Sequence, residues 1–304
     1  MKLIAPDYYH GFRCIAERCR HSCCIGWEID IDADRREEYR CVAGSFGKRL
    51  NAAIEDGAAG SVFRLDENER CPMLNENGLC DLITEMGEGA LCQICADHPR
   101  FRNFFSHRTE VGLGLCCEEA ARLILTRESP MTLVSLEDDG ADEAVVEEEE
   151  ALLAVRSMLI GIMQDSDVPL NDRLEELLRR VSHPIPQKDW AALYRGLERL
   201  DPAWDNVLDS LTDAVAPPPA SLDAAFANFC VYLLYRHLPG ALDDEDVPGR
   251  TAFCVLSTRM LMMLCGAKLG CTLADCIDLA RMYSAEIEYS EENVEALLDA
   301  LWEE

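Results

Sequence analysis

Nothing in the 304 residues approaches the roughly 18–20 consecutive apolar residues that a membrane-spanning helix needs. The opening, Met1-Lys-Leu-Ile-Ala-Pro-Asp-Tyr-Tyr-His10, has a charge at Lys2 but no sustained apolar stretch after it, so it does not read as a secretory leader. G-x-G-x-x-G is missing from any strand–turn–helix: Gly112-Leu-Gly114 runs straight into Leu-Cys-Cys-Glu118, which argues against a doubly wound cofactor-binding domain. No internal repeat is visible. Positive charge is scarce as well, with 28 Lys+Arg against 57 Asp+Glu and a formal net charge of −29. Up to Ala120, 14 basic residues meet 21 acidic ones; beyond it, 14 meet 36. Such a field repels phosphate backbones and argues against a nucleic-acid partner, while suiting solubility or a basic protein partner.

What the chain has in excess is cysteine. Without an export signal the expected compartment is the cytoplasm, where disulfides are rare, so sixteen cysteines need another explanation. Eleven of them precede residue 120, and Cys14, Cys19, Cys23 and Cys24 fall within eleven residues. Cys41, Cys71, Cys80, Cys92, Cys95, Cys116 and Cys117 follow. A thiol-rich intracellular segment reads first as metal-binding, because thiolates suit zinc and iron–sulfur clusters. Only Cys92-Gln-Ile-Cys95 has the C-x₂-C spacing of a zinc knuckle. Adjacent Cys23 and Cys24 do not easily serve one tetrahedral ion. A cluster held by thiolates from separate loops fits the spacing better, with zinc as the alternative.

The pattern predicts a mainly α fold: a cysteine-rich irregular N-terminal region with a small hairpin, packed on a helical body. The expected division is residues 1–126 and 141–304. Asn77-Gly78 between Cys71-Pro-Met-Leu and Leu79-Cys-Asp-Leu is a type I′ turn signal that brings Cys71 toward Cys80. Helices are expected near 34–41, 48–55, 82–96 and 118–126, with a strand at 109–115. The acidic block 137–150 reads as a connector or solvated helix start. Beyond it, three-and-four spacing of apolar residues predicts helices at 151–163, 171–182, 187–200, 202–215, 221–238, 249–268, 273–288 and 291–302. Phe229, Tyr232, Met260, Met262 and Met263 read as core. So do Cys230, Cys254, Cys265, Cys271 and Cys276, although Cys271 and Cys276 are close enough to suggest chelation.

Cys14-x₄-Cys19-x₃-Cys23-Cys24-x-Gly26-Trp27-x-Ile29-x-Ile31-Asp32 resembles the opening of the flagellin lysine N-methylase family. Phe63-Arg-Leu65, Cys71-Pro72, Asn77-Gly78-Leu79-Cys80, Gly87-Glu88, Leu91, Cys95, Pro99-Arg100 and Cys116-x-Glu118-x-Ala120, with Arg122-Leu123, continue it in order. Ala280-Arg281-x-Tyr283-Ser284-x₃-Glu288-Tyr289-Ser290 is similar to the family's C-terminal signature. The resemblance is densest in residues 1–125. It implies methyl transfer from S-adenosylmethionine to lysine ε-amines of flagellin, in an enzyme with a [4Fe-4S] cluster. It carries the metal-ligand role to Cys14, Cys19, Cys23, Cys24, Cys71, Cys80, Cys95 and Cys116, leaving out Cys41, Cys92 and Cys117. His98 stands where an aromatic often precedes Pro-Arg, and Cys117 where Pro usually follows the thiol.

An amine nucleophile must be deprotonated and aimed at an electrophilic methyl, and a carboxylate or Tyr can accept its proton or align it. Glu286, Glu288 and Tyr289 share one short predicted helical stretch; Glu110 and Glu118 flank Cys116. Glu288, Tyr289 and Glu118 are the leading candidates, against the plainer reading of a solvated acidic face. Arg100 and Arg102, with Arg108, His98 and His107, form the notable basic cluster and are candidates for the cofactor carboxylate; the plainer reading is that they balance nearby acids. Two rivals remain: a non-catalytic zinc-binding adaptor for a basic protein partner, and a redox sensor using Cys23-Cys24.

Overall fold

The computed structural model describes residues 2–58, 60–140, 144–211 and 215–303. It is mainly α, as expected, with two small sheets. No helix among the described residues is long and apolar enough to cross a membrane. The chain forms two compact units: Arg13–Arg100, and Met1–Phe12 together with Phe101–Glu304. The boundaries therefore fall at 12/13 and 100/101, not between 126 and 141. The reason is the first strand, Lys2–Pro6, which pairs parallel to Arg108–Leu113 and antiparallel to Leu133–Asp138. The N-terminus and residues 101–138 are thereby locked into the helical body's own sheet.

In the smaller unit, Asp30–Ile31 and Ile54–Asp56 flank Ser61–Phe63 in an antiparallel sheet. Ile29 and Ile31 point inward and Asp30 outward, the alternation a half-buried strand requires. Asp32 does two jobs. One carboxylate oxygen caps the helix Ala33–Arg40 by accepting from Arg35 N, and the other accepts from Gln93 N at 2.7 Å, at the start of the helix Gln93–Asp97. The helix expected over 82–96 is broken into Asp81–Met86, a single turn at Glu88–Ala90, and Gln93–Asp97. Gly87 supplies the stop, at φ +88°, where a side chain is unfavourable.

In the larger unit the sheet runs in the order Arg100–Phe104, Arg108–Leu113, Lys2–Pro6, Leu133–Asp138. The helices Asp223–His237 and Val247–Ala267 are apolar around most of their circumference and form the centre of the helical body. Phe229, Tyr232 and Met260 are buried there, as expected, while Met263 is partly open. The five late cysteines are buried. The helices expected over 187–200 and 202–215 are shorter, Trp190–Gly196 and Ala203–Asp209, with 212–214 outside the described residues. Residues 141–143 of the acidic block also lie outside the described residues. The helix expected to run over 273–288 ends as an α-helix at Tyr283 and continues as one π-helical turn, Ser284–Glu288.

Gly112 shows how tightly the sheet packs. A Cβ there would stand 2.2 Å from Cζ of Phe101, whose ring sits under the Arg236 guanidinium at 5.1 Å. Gly112→Ala is expected to destabilise the protein by about 1–3 kcal/mol, read as a lowered urea midpoint at unchanged slope.

Candidate functional site

Within the smaller unit, backbone pairing brings distant thiols together. Ile25 and Arg70 form a β-bridge, Gly26 N donates to Glu69 O at 3.1 Å, and Cys71 N donates to Cys24 O at 2.8 Å. Cys24 is thus fixed beside Cys71. The Cys71–Cys80 segment folds back as expected, closed by a bridge between Leu74 and Cys80. Its corner is Glu76-Asn77, not Asn77-Gly78. Gly78 N donates to Asn75 O, the Asn75 side chain accepts from Asn77 N and Leu79 N, and Gly78 follows at φ +75°. An Asn side chain that captures its own downstream amides competes well with the type I′ turn.

The outcome is a group of five sulfurs. Cys71 and Cys92 are in the unit's core with Ile29, Ile31, Tyr39 and Phe63, and Cys24, Cys80 and Cys95 pack against it. Several influence one another's ionisation. Burial pushes Cys71 up to about 12, and Cys24, Cys80 and Cys92 add to that. Cys24 is drawn down to about 7, first by the hydrogen bond from Cys23, with Ser22 and Arg70 helping and burial opposing. The hydrogen bond from Cys95 lowers Cys92 against burial, and the same bond raises Cys95. Of that pair, Cys92 is the one whose thiolate form is favoured. It lies outside the ligand set implied by the resemblance; its C-x₂-C spacing to Cys95 was the signal for it.

Among the described residues, no group of three or more His, Cys, Asp or Glu stands in an arrangement that could hold a metal ion. The sulfurs are gathered within electrostatic range of one another without being closed around a centre. Cys14 and Cys23 are exposed and Cys19 is partly exposed. Ala16 N points to Cys14 Sγ at 3.4 Å, and Cys19 Sγ donates to His21 O at 3.2 Å. Cys116 lies in the larger unit.

His98 packs near Trp27, with ring centroids 6.0 Å apart, and burial, with Arg100 adding to it, lowers its pKa to about 4. The folded protein favours the neutral imidazole. This contribution is therefore complete above the ordinary value of 6.5 and is lost as pH falls toward 4. The loss is expected to reach about 3 kcal/mol, at 1.36 kcal/mol per unit. Denaturant melts of His98→Gln and the parent should diverge less at pH 4.5 than at pH 7; parallel curves sink the assignment.

In the larger unit the π turn decides where the candidate carboxylates go. Two positions apart on a helical turn, Glu286 and Glu288 face different surroundings. Glu286 accepts from Leu200 N at 3.0 Å and Asp201 N at 2.6 Å, anchoring that loop. Glu288 is 7% exposed and sits in a polar cluster inside the helical body. Its Oε2 accepts from Tyr232 Oη at 2.9 Å and His237 Nε2 at 2.6 Å, with Arg236 Nε at 3.5 Å. Tyr232 Oη in turn accepts from Arg236 Nη1 at 2.8 Å and Leu115 N at 3.3 Å. Glu288 Oε1 has no hydrogen-bond partner among the described residues. Ser284 Oγ is near enough to favour the charged carboxylate, though not in the geometry of a formed hydrogen bond.

Burial pushes the Glu288 carboxyl up, but Arg236 and His237 outweigh it and the pKa falls below the ordinary value. Burial lowers His237, with Arg236 and Arg250 adding to it against the pull of Glu288. A charged carboxylate facing a neutral imidazole N–H satisfies both directions. Tyr289 is 46% exposed, yet its hydroxyl end is packed against Cys116. Burial is the main cause that raises the pKa of both, carrying Cys116 to about 12. The Arg236 guanidinium lies 4.6 Å from the Tyr289 ring centre and 5.1 Å from that of Phe101.

The other candidates are placed differently. Glu118 opens the helix Glu118–Leu125, where an acid complements the helix dipole, and is not among the described contacts of Glu288. Glu110 is fully buried in a two-pronged pair with Arg156, both bonds 2.7 Å, and also meets Arg108. His107 lies beside Glu149 and Glu150. Arg100 donates to Ala96 O at 3.1 Å, and Arg102 is exposed on its strand. A groove of about 480 Å³ is lined by Val215, Ala216, Pro217, Pro218, Arg259, Met262 and Met263, none of them an expected site residue. Sequence reasoning missed Tyr232, Arg236 and His237. Arg and His in a last helical turn are ordinary complements of the dipole, so nothing local set them apart.

Residues 158–304 match the model of the FliB lysine N-methylase C-terminal domain. A lysine-N-methylase of Salmonella choleraesuis strain SC-B67 is 26% identical over 141 residues, which cover 42% of this chain and 33% of that protein. The flagellar biosynthetic protein FliU of Salmonella muenchen is 26% identical over 141 residues, covering 42% of this chain and 79% of that protein. A lysine-N-methylase of Salmonella typhimurium strain LT2 matches to the same extent as the first, so the chain spans a third of the length of both lysine-N-methylases. No solved structure matches the chain.

Proposed function

We propose that this chain is a protein lysine N-methyltransferase that moves methyl groups from S-adenosylmethionine to lysines of a flagellin-type protein, with a thiolate-bound [4Fe-4S] cluster in its cysteine-rich unit. The observation that carries the reading is the Glu288 cluster. A buried, ionised carboxylate and a largely covered arginine stand behind a half-exposed tyrosine, inside the stretch that matches a lysine N-methylase domain. The lysine-N-methylase relatives favour an enzyme over the adaptor reading.

The residues suggest a division of labour. Tyr289 is the group open to a substrate. The open part is its ring, since the hydroxyl is held beside Cys116; the raised pKa keeps it a neutral phenol, suited to packing against a substrate and not to removing a proton as phenolate. Glu288 and Arg236 are positioning residues: they hold the ring and set a fixed field behind it. Glu118 is the remaining carboxylate candidate, and Arg100 and Arg102 are the cations offered to the methionine carboxylate of the donor.

The donor chemistry in the smaller unit fits a thiolate-bound centre: Cys24, Cys71, Cys80, Cys92 and Cys95 are soft ligands on separate loops, already within range of one another. Cys14, Cys19 and Cys23, on the segment before them, are the further ligands the resemblance implies. Bound there, a cluster would supply one-electron chemistry and would tie the loops together. The test is anoxic, metal-replete protein with methyl-labelled S-adenosylmethionine and purified flagellin. Label is expected on flagellin lysines and is expected to be lost in Glu288→Gln. Folded, metal-replete protein that transfers no label overturns the proposal.

A further inference from the structure

A small cavity in the larger unit stands apart from the sulfur group and from the open face of Tyr289. It measures about 10 Å³ with a water-sized sphere, and its walls include Tyr8, Ile124, Arg127, Met131, Asn228 and Tyr232. Two of these side chains end in groups that the protein leaves unpaired. Tyr8 Oη and Arg127 Nε are buried and have no hydrogen-bond partner among the described residues. The two side chains are stacked, with Arg127 Cζ 5.3 Å from the centre of the Tyr8 ring. Tyr8 is 8% exposed. A phenol buried this far ordinarily finds a partner for its hydroxyl, and packing alone would be served by phenylalanine. Asn228 Nδ2 donates to Arg127 O at 3.0 Å, so the acceptor end of that amide remains for another partner.

Charge, hydrogen-bonding sense and size define the occupant. Arg127 Nη2 donates to Asp7 Oδ2 at 2.9 Å and to Pro130 O at 3.1 Å. Asp7 thereby neutralises the guanidinium, which removes the pull on an anion, while the guanidinium itself repels a cation. Arg127 Nε can only donate, so the occupant must accept; Tyr8 Oη can give or receive. One water molecule needs about 10–15 Å³ and two to four polar partners, and the cavity supplies both.

We propose that this cavity binds a single internal water, which accepts from Arg127 Nε, joins it to Tyr8 Oη, and bolts the N-terminal segment to the helical body. Asp7 N already donates to Thr132 O at 2.8 Å from the same segment. Asn228 and Tyr232 lie one turn apart on the helix Asp223–His237 and so share the face that lines the cavity. The water holds the turn after the first strand against that face. Tyr232, whose hydroxyl holds Glu288 at 2.9 Å, thus forms one wall of the bridge.

The experiment is a crystal structure of the whole chain that shows ordered solvent, together with urea melts of the parent and Tyr8→Phe. One ordered water is expected within about 3.2 Å of both Tyr8 Oη and Arg127 Nε. Removing the hydroxyl is expected to lower the folded-to-unfolded ratio roughly tenfold, because the water loses a partner and its site stays buried. A dry cavity predicts the opposite sign: the hydroxyl would then be an unsatisfied buried group, and Tyr8→Phe would match or exceed the parent. A structure without that water overturns the proposal, and so does a Tyr8→Phe protein at least as stable as the parent. A bromide soak that puts anomalous signal in the cavity overturns it as well, by showing an anion there. None of these readouts depends on methyl transfer.

Discussion

Glu288→Ala is expected to cost roughly 3–5 kcal/mol of folding stability, because it leaves the largely covered Arg236 without its counter-charge. The same change removes the acceptor for Tyr232 Oη, which is buried, and for His237 Nε2, which is largely covered, and unsatisfied buried donors carry a desolvation penalty. Glu288→Gln preserves shape and one acceptor, so its stability loss should be smaller while methyl transfer still fails. The double variant Glu288→Leu with Arg236→Met separates charge from packing: removing both charges together should recover most of the stability lost in Glu288→Ala and none of the activity. Urea melts of the parent, Glu288→Leu, Arg236→Met and the double variant supply the cycle. A Glu288→Ala midpoint shift equivalent to less than about 1 kcal/mol would show that the carboxylate is not Arg236's counter-charge.

Anaerobically prepared Cys71→Ala should emerge without metal, and its residues 13–100 should unfold far below the parent. Cys71 is the sulfur most central to the group, buried in the unit's core and within electrostatic reach of Cys24, Cys80 and Cys92. In metal sites of this kind binding free energy is folding free energy, on the order of 10 kcal/mol for structural zinc. Cys254→Ala is the control, since that thiol is buried among aliphatic and aromatic neighbours in the helical body. Cys92→Ala discriminates between two ligand sets: the family resemblance omits it, whereas the structure pairs it with Cys95. Metal analysis with visible absorption reads all three. Full metal content in Cys71→Ala refutes the sulfur group as the binding site, and full content in Cys92→Ala returns the choice to the set implied by the resemblance.

Most helices were legible because each carries its own signal. Thr272 and Ser290 cap the helices that start after them, and Thr272 forms a capping box with Asp275. The run from Glu291 to Trp302 matches its apolar spacing to the residue. Glu118–Leu125 and Asp223–His237 were read to within two residues for the same reason. The break at Gly87 and the π turn at Ser284–Glu288 were not legible. A positive-φ glycine and an extra residue in a turn are invisible to a periodicity count when flanking residues remain good helix formers.

By itself the sequence determined the class of the fold, the concentration of thiols before residue 120, and the resemblance that singled out Glu288 and Tyr289. These are properties of spacing and composition, and spacing survives without coordinates. Only the tertiary structure decided which thiols meet, that Cys92 joins them, and that Glu288 is held by Tyr232, Arg236 and His237 more than fifty positions away. The physical reason is that a buried charge takes its partners from whatever element packs against it, and that choice is made by the fit of two apolar helix faces, not by any residue near it in the chain.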